Sequence, residues 1–267
     1  QYVIKVKCTK KNDNNKVIVF VEEKEVPQKV DLRILAGDPY SSKLFTLDDV
    51  EITTSDLGKV PVTEEKKIKE VFYDKYDNLI TDITFDTNIL GIKLVPTIAK
   101  KPDSKYSAAL NVQKGAVIIT MKSTLVGKHK LTGVFFPLPE YYITFTHGPP
   151  SDKSILDVDK NVVNAGDQVK AFITPYDIYG NRIDAHEFET NNPFTVNYRP
   201  EAENSDINIP KFEIEEMDEG SVISYPVTLT KAGVTKFSGF INESPLNTRD
   251  VTVLPGDMDF LKSKVYR

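Results

Sequence analysis

The sequence predicts an all-β chain of tandem β-sandwiches, and three observations predict it. First, a closing pattern recurs. Its clearest copy is Ala232-Gly233, then the run Val234 to Pro245, then Val251-Thr252-Val253-Leu254-Pro255-Gly256. Another copy runs from Val126-Gly127 through Tyr141-Tyr142-Ile143-Thr144-Phe145 to Gly148, and a third from Lys16-Val17-Ile18 through Val30-Asp31-Leu32-Arg33-Ile34 to Gly37. The closing glycines lie about 110 positions apart, which is the size of a domain rather than of a solenoid unit. Second, apolar residues alternate with polar ones in short runs, and no helical period of useful length occurs. Third, 16 prolines and 13 glycines are scattered along the 267 residues, as many short strands joined by turns require.

The last complete copy justifies the elements in order. A short strand is expected near 154–163, followed by Val169 to Thr174 with Val169, Ala171 and Ile173 on one side. Tyr176-Asp177-Ile178-Tyr179-Gly180-Asn181 breaks that strand, its glycine and asparagine supplying positive φ angles. Phe194, Val196 and Tyr198 then alternate inward, and Phe212-Glu213-Ile214-Glu215 continues the pattern. After the turn at Glu219-Gly220, Ile223, Tyr225, Val227 and Leu229 share a face, and strands at 234–241 and 249–254 close the unit. About seven short antiparallel strands at this spacing mark a seven-stranded immunoglobulin-like β-sandwich. The preceding copy aligns with it: Phe72-Tyr73-Asp74-Lys75-Tyr76-Asp77-Asn78 on Pro175 to Asn181, Gly58 on Gly166, and Val117, Ile119 and Met121 on the fifth strand. Asn12 to Asn15 is expected to form a hairpin loop between strands 3–9 and 16–21.

The expected division is therefore 1–37, the last three strands of one unit; 38–148 and 149–257, two complete units; and 258–267, a linker or the start of a following unit. The junctions Gly37-Asp38-Pro39, Gly148-Pro149-Pro150 and Gly256-Asp257 are short and mostly proline-bearing, which suits a semi-rigid spacer.

Composition narrows the function. The net charge of −5 has both signs interspersed and no long lysine run, which argues against nucleic acid and gives no sign of an anionic membrane surface. The apolar runs, such as Ala116 to Met121, are far too short to span a bilayer as helices. The single cysteine, Cys8, excludes an intrachain disulfide, tilts toward a reducing compartment and reads as a buried small hydrophobe.

No catalytic, cofactor or metal site is expected. His129, His147 and His186 stand far apart without partners at ligand spacing, and no phosphate loop or nucleophile elbow occurs. Asp157-x-Asp159, Asp257-x-Asp259 and Asn12-Asp13-Asn14-Asn15 offer oxygen ligands for calcium, but none makes a full set and turns explain them. Asp74 and Asp177 recur one per copy, so they read as turn-closing residues. Tyr76 and Tyr179 are expected to pack the sandwich ends with their hydroxyls bonded. The sole glycosylation triplet, Asn242-Glu243-Ser244, is weakened by Pro245.

Taken together, Tyr-Asp-x-Tyr-Gly-Asn, Asp218-Glu219-Gly220-Ser221, Ala232-Gly233 and Ile241-x-x-Ser244-Pro245-Leu246 resemble the filamin-type immunoglobulin repeat, in register along the whole chain. The middle copy departs from it with Pro137-Leu138-Pro139 and with Asp77 at the turn glycine. The resemblance implies a non-enzymatic spacer, scaffold and docking module of cytoskeletal, ciliary or axonemal setting in the cytoplasm. The alternative is a cell-surface adhesion protein of the gamete type. It also implies that partner proteins add a β-strand along the groove between the third and fourth strands. Here that groove would be Ile92 and Leu94 with Ala108 and Leu110, and Val196 and Tyr198 with Phe212 and Ile214.

Overall fold

A computed structural model describes residues 12–17, 20–21, 24–25, 30–82, 90–98, 103–133 and 140–256. Cys8, Pro137-Leu138-Pro139 and Asp257-x-Asp259 lie outside them. The chain divides into two compact units, 1–146 and 147–267.

In the first unit β1 (Asn12–Val17) pairs antiparallel with β4 (Val30–Ile34), and β2 (Phe20–Val21) with β3 (Lys24–Glu25). Asn12 to Asn15 is thus strand and not the expected loop. Asn12 pairs with Ile34 and Asn15 with Leu32, so a ladder irregularity absorbs the extra residue that turn-prone side chains would have placed in a loop.

A β-sandwich follows, made of β5 (Ser41–Phe45), β6 (Asp56–Pro61), β7 (Lys66–Tyr73), β8 (Lys93–Pro96), β9 (Tyr106–Gln113), β10 (Ala116–Ser123), β11 (Gly127–Thr132) and β12 (Tyr141–Thr146). One sheet has the order β5-β7-β10-β9 and the other β6-β12-β11-β8, with β6 parallel to β12. Alternation turns Ile68, Phe72, Val117, Ile119, Met121, Ile143 and Phe145 inward, all wholly buried.

The second unit repeats the plan with β13 (Ile155–Val158), β14 (Val162–Asn164), β15 (Gln168–Thr174), β16 (Phe194–Pro200), β17 (Ile207–Asn208), β18 (Glu213–Met217), β19 (Gly220–Thr228), β20 (Gly233–Ile241) and β21 (Ser244–Leu254). Its sheets are β13-β15-β19-β18 and β14-β21-β20-β16-β17, with β14 parallel to β21. A 3-10 turn at Ala185–Phe188, capped by Asp184, is the helical element here.

The first strand expected near 154–163 is split in two. β13 pairs with β15 in one sheet, and β14 pairs with β21 in the other. The chain changes sheets between them, so each sheet gains an outer strand from one short stretch of sequence.

Candidate functional site: the fastening turn and the open sheet edges

The motif shared by both sandwiches is a turn built around one buried aspartate. Asp177 is 0% and Asp74 3% exposed. Asp177 Oδ1 accepts from the Tyr179 and Asn181 backbone N–H groups, both at 2.9 Å. Its Oδ2 accepts from the Asn181 side-chain amide at 2.9 Å and from the Gly148 N–H at 3.0 Å. Asp74 does the same: Oδ1 takes Tyr76 N–H at 2.8 Å and Asn78 N–H at 3.0 Å, and Oδ2 takes the Asn78 amide and the Gly37 N–H, both at 2.9 Å.

A carboxylate is the group that suits this place, because it alone offers enough lone pairs for so many converging donors. Burial by itself would raise the Asp74 carboxyl. The donors from Gly37, Asn78 and Tyr76 outweigh it and hold the group well below the usual carboxylate range. Gly180 takes the left-handed conformation (φ 73°) that the turn requires, and Asp77 adopts it at φ 60° in the middle copy, one of the few side chains that tolerates it.

The consequence is anchoring. The chain entering each sandwich is bonded at Gly37 or Gly148 to that sandwich's own turn, across 37 and 29 residues respectively. The unequal spacing is why the sequence showed the glycines and the aspartates but not the bond between them. Tyr76 and Tyr179 correct a further expectation. They are 41% and 44% exposed, because their backbone N–H groups serve the aspartate and their rings are left facing outward.

The groove residues lie on or next to β8 and β9 in the first sandwich and β16 and β18 in the second. Ile92, Leu94 and Val196 are buried core residues, while Ala108, Leu110, Tyr198, Phe212 and Ile214 are half-buried against the core. Their strands occupy sheet ends. β8 and β9 end the two sheets of the first sandwich, and β18 ends one sheet of the second, whereas β16 is covered by β17. An outer strand leaves one row of N–H and C=O groups outside the ladder, and another chain can pair with them.

The histidines and the aspartates outside the turns are engaged within the fold. His129 is buried, its Nε2 3.0 Å from Ser123 Oγ and its Nδ1 3.0 Å from the Gly127 carbonyl; burial lowers its pKa. His147 bonds Glu187 at 2.7 Å. His186 lies between Glu189 (2.6 Å) and Glu216 (2.9 Å), which raise its pKa to about 9. A hollow of about 310 Å³ is floored by Arg182, Asp184 and Ser221. Arg182 donates to the Gly220 and Ser221 carbonyls, and Asp184 accepts from Ser221 Oγ. Asp157 is bonded to Arg249 and Asp159 to the Lys170 N–H.

Sequence reasoning missed one buried group, Glu70, which is 1% exposed between Ile68 and Phe72 on β7. Strict alternation from Ile68 to Phe72 was the signal that could have found it.

No family model matches the chain, and no curated protein does. Solved structures similar to it include the Escherichia coli adhesin FdeC, 16% identical over 89% of this chain and 73% of that one, with a TM-score of 0.48. The surface layer protein SbsC, domains 4–9, is 13% identical over 90% and 34%, with a TM-score of 0.27. The immunoglobulin pair of DIP-gamma is 8% identical over 82% and 99%, with a TM-score of 0.35. Likenesses this distant carry no argument about activity or partners.

Proposed function

We propose that the chain is a non-enzymatic segment of a tandem array that spaces and docks other proteins. Its repeat units are 38–148 and 149–257, with 1–37 completing a preceding unit and 258–267 leading into a following one. We assign them to the filamin type, on the Asp-x-Tyr-x-Asn turn and the Ser-Pro step after β20. The observation that carries the reading is the duplicated fastening. Two sandwiches use the same four donors on the same buried aspartate to hold the chain that leads into them. A module that anchors its own entrance can be repeated without loose tethers, which is what a spacer needs.

Single-molecule pulling on residues 1–267 tests it. A spacer should resist and then release each sandwich as a discrete step of roughly 350 Å, from about 3.5 Å per residue of extended chain less the folded length. Extension without discrete steps would rule the spacer out.

A second reading, cell-surface adhesion, is favoured by one observation. Asn242, Glu243 and Ser244 sit exposed at the tip of the β20–β21 hairpin, open to glycosylation. The lone Cys8 favours the intracellular setting instead. Intact mass spectrometry of native protein tests it: a glycan on Asn242 selects the surface reading.

A further inference from the structure

The outer strands of the two sandwiches are not equally defended. β8 is short, carries Lys93 and ends in Pro96. β18 has glutamates at 213, 215 and 216, and β17, which pairs with Asn197 and Tyr198 of β16 and ends the other sheet, is only two residues long. β5 and β13 are short and carry Lys43 and Asp157. Charge, proline, brevity and cover are the devices that keep edges from pairing.

β9 has none of them. Its eight residues, Tyr-Ser-Ala-Ala-Leu-Asn-Val-Gln, are uncharged, and all eight pair with β10 on one side. Among the described residues no strand pairs with the other side. Val112 at its far end is 45% exposed.

We infer that β9 is the docking edge of this segment, and that its occupant is an extended peptide strand with acidic ends; this rests on the docking half of the function proposed above. Charge selects that occupant over a second copy of the chain. Exposed Lys105 and Lys114 bracket the strand. Full antiparallel pairing of two β9 strands would set Lys105 of each against Lys114 of the other, a like-charge contact at both ends. Carboxylates there turn both contacts attractive. Asp103 lies two residues before Lys105 and offsets part of its charge, so Lys114 carries the greater share of the preference.

The strand's two faces set the rest of the pattern. Tyr106, Ala108 and Leu110 are half-buried, while Ser107, Ala109 and Asn111 face solvent. An added strand therefore continues the sheet best with apolar residues at alternate positions and polar ones between. At about 3.3 Å per residue the span is roughly 26 Å, so about eight residues pair.

The test uses residues 1–267 and a synthetic peptide of alternating valine and threonine ended by aspartates, beside a lysine-ended version. Fluorescence anisotropy gives affinity, and amide shifts give location. The aspartate-ended peptide is expected to bind about tenfold tighter at low salt, with the advantage shrinking as salt rises. The shifts should cluster on 106–113. Ala109→Glu with Asn111→Glu, which copies the defence of β18, should abolish binding with the fold's dispersion intact. Lys114→Glu, on an exposed site that leaves the fold unchanged, should reverse the preference between the two peptides. Equal affinity for both peptides, shifts centred on another edge, or no binding would overturn the proposal. So would a dimer that depends on β9. Stepwise pulling together with absent peptide binding would leave the spacer standing and remove this edge alone.

Discussion

Replacing Glu70 with valine should stabilise the first sandwich, by an amount that grows with pH. The carboxyl sits between wholly buried Ile68 and Phe72, and its Oε1 accepts from Ser42 Oγ at 2.7 Å. Oε2 has no partner among the described residues. Burial pushes the carboxyl above its usual range, and the Ser42 bond only partly opposes this. Counted back from the turn aspartates, its counterpart is Ile173, which is 0% exposed, so the position is made for an apolar side chain. Valine has nearly the volume of glutamate, and burying it contributes about 1.5–2 kcal/mol. Loss of the Ser42 bond costs about 1 kcal/mol, reduced because half-buried Ser42 can turn to water. Removing the unpaired oxygen regains about 1–3 kcal/mol.

The net at neutral pH is a gain of about 2–3 kcal/mol, or roughly 10 °C in the melting temperature of a sandwich this size. The sign follows from linkage. A group whose folded pKa is raised contributes stability that is full below its unfolded pKa, near 4.3, and is lost as pH rises through the folded value. The wild-type chain therefore weakens relative to the variant as pH climbs, and the gap narrows toward pH ~3.5. Calorimetry on residues 1–267 reads it, with the second sandwich as internal reference. A variant less stable than wild type at neutral pH, or a difference that does not change with pH, would refute the reasoning.

Three further outcomes are expected. Asp177→Asn turns an N–H toward the Gly148 and Asn181 donors at Oδ2, so the second sandwich should lose about 1–3 kcal/mol in urea titration and the Gly148 amide should exchange faster. His186 should titrate by NMR near pH 9, and Glu216→Gln should lower that midpoint. Its folded pKa is raised, so what it adds to stability is full below about 6.5 and lost through about 9. Gly256→Ala should cost about 1–3 kcal/mol by thermal melting of the second sandwich, because a Cβ there would lie 2.6 Å from the Ala165 carbonyl oxygen, which is backbone and cannot step aside.

Much of this was legible because strands write themselves as alternation. Phe194 and Val196, or Val117, Ile119 and Met121, face the core as their spacing says. The turn aspartates were legible because they recur beside tyrosine and asparagine. What stayed hidden depends on contacts distant in sequence. The Gly148–Asp177 bond and its Gly37–Asp74 twin span different lengths, so no fixed spacing announces them. The exposure of Tyr76 and Tyr179 follows from which atoms the aspartate recruits, and residue type does not reveal that. Glu70 broke the rule that charges face water. The uncharged run of β9 is plain in the sequence, but only sheet order shows that it lies at an edge.

Each sandwich fastens the chain that enters it, and amide hydrogen exchange on residues 1–267 tests that claim most directly. The Gly37 and Gly148 N–H groups should exchange as slowly as the ladder amides of β7 and β15, since each bonds a buried carboxylate. Exchange of both at the rate of exposed coil, while β7 and β15 remain protected, would contradict it.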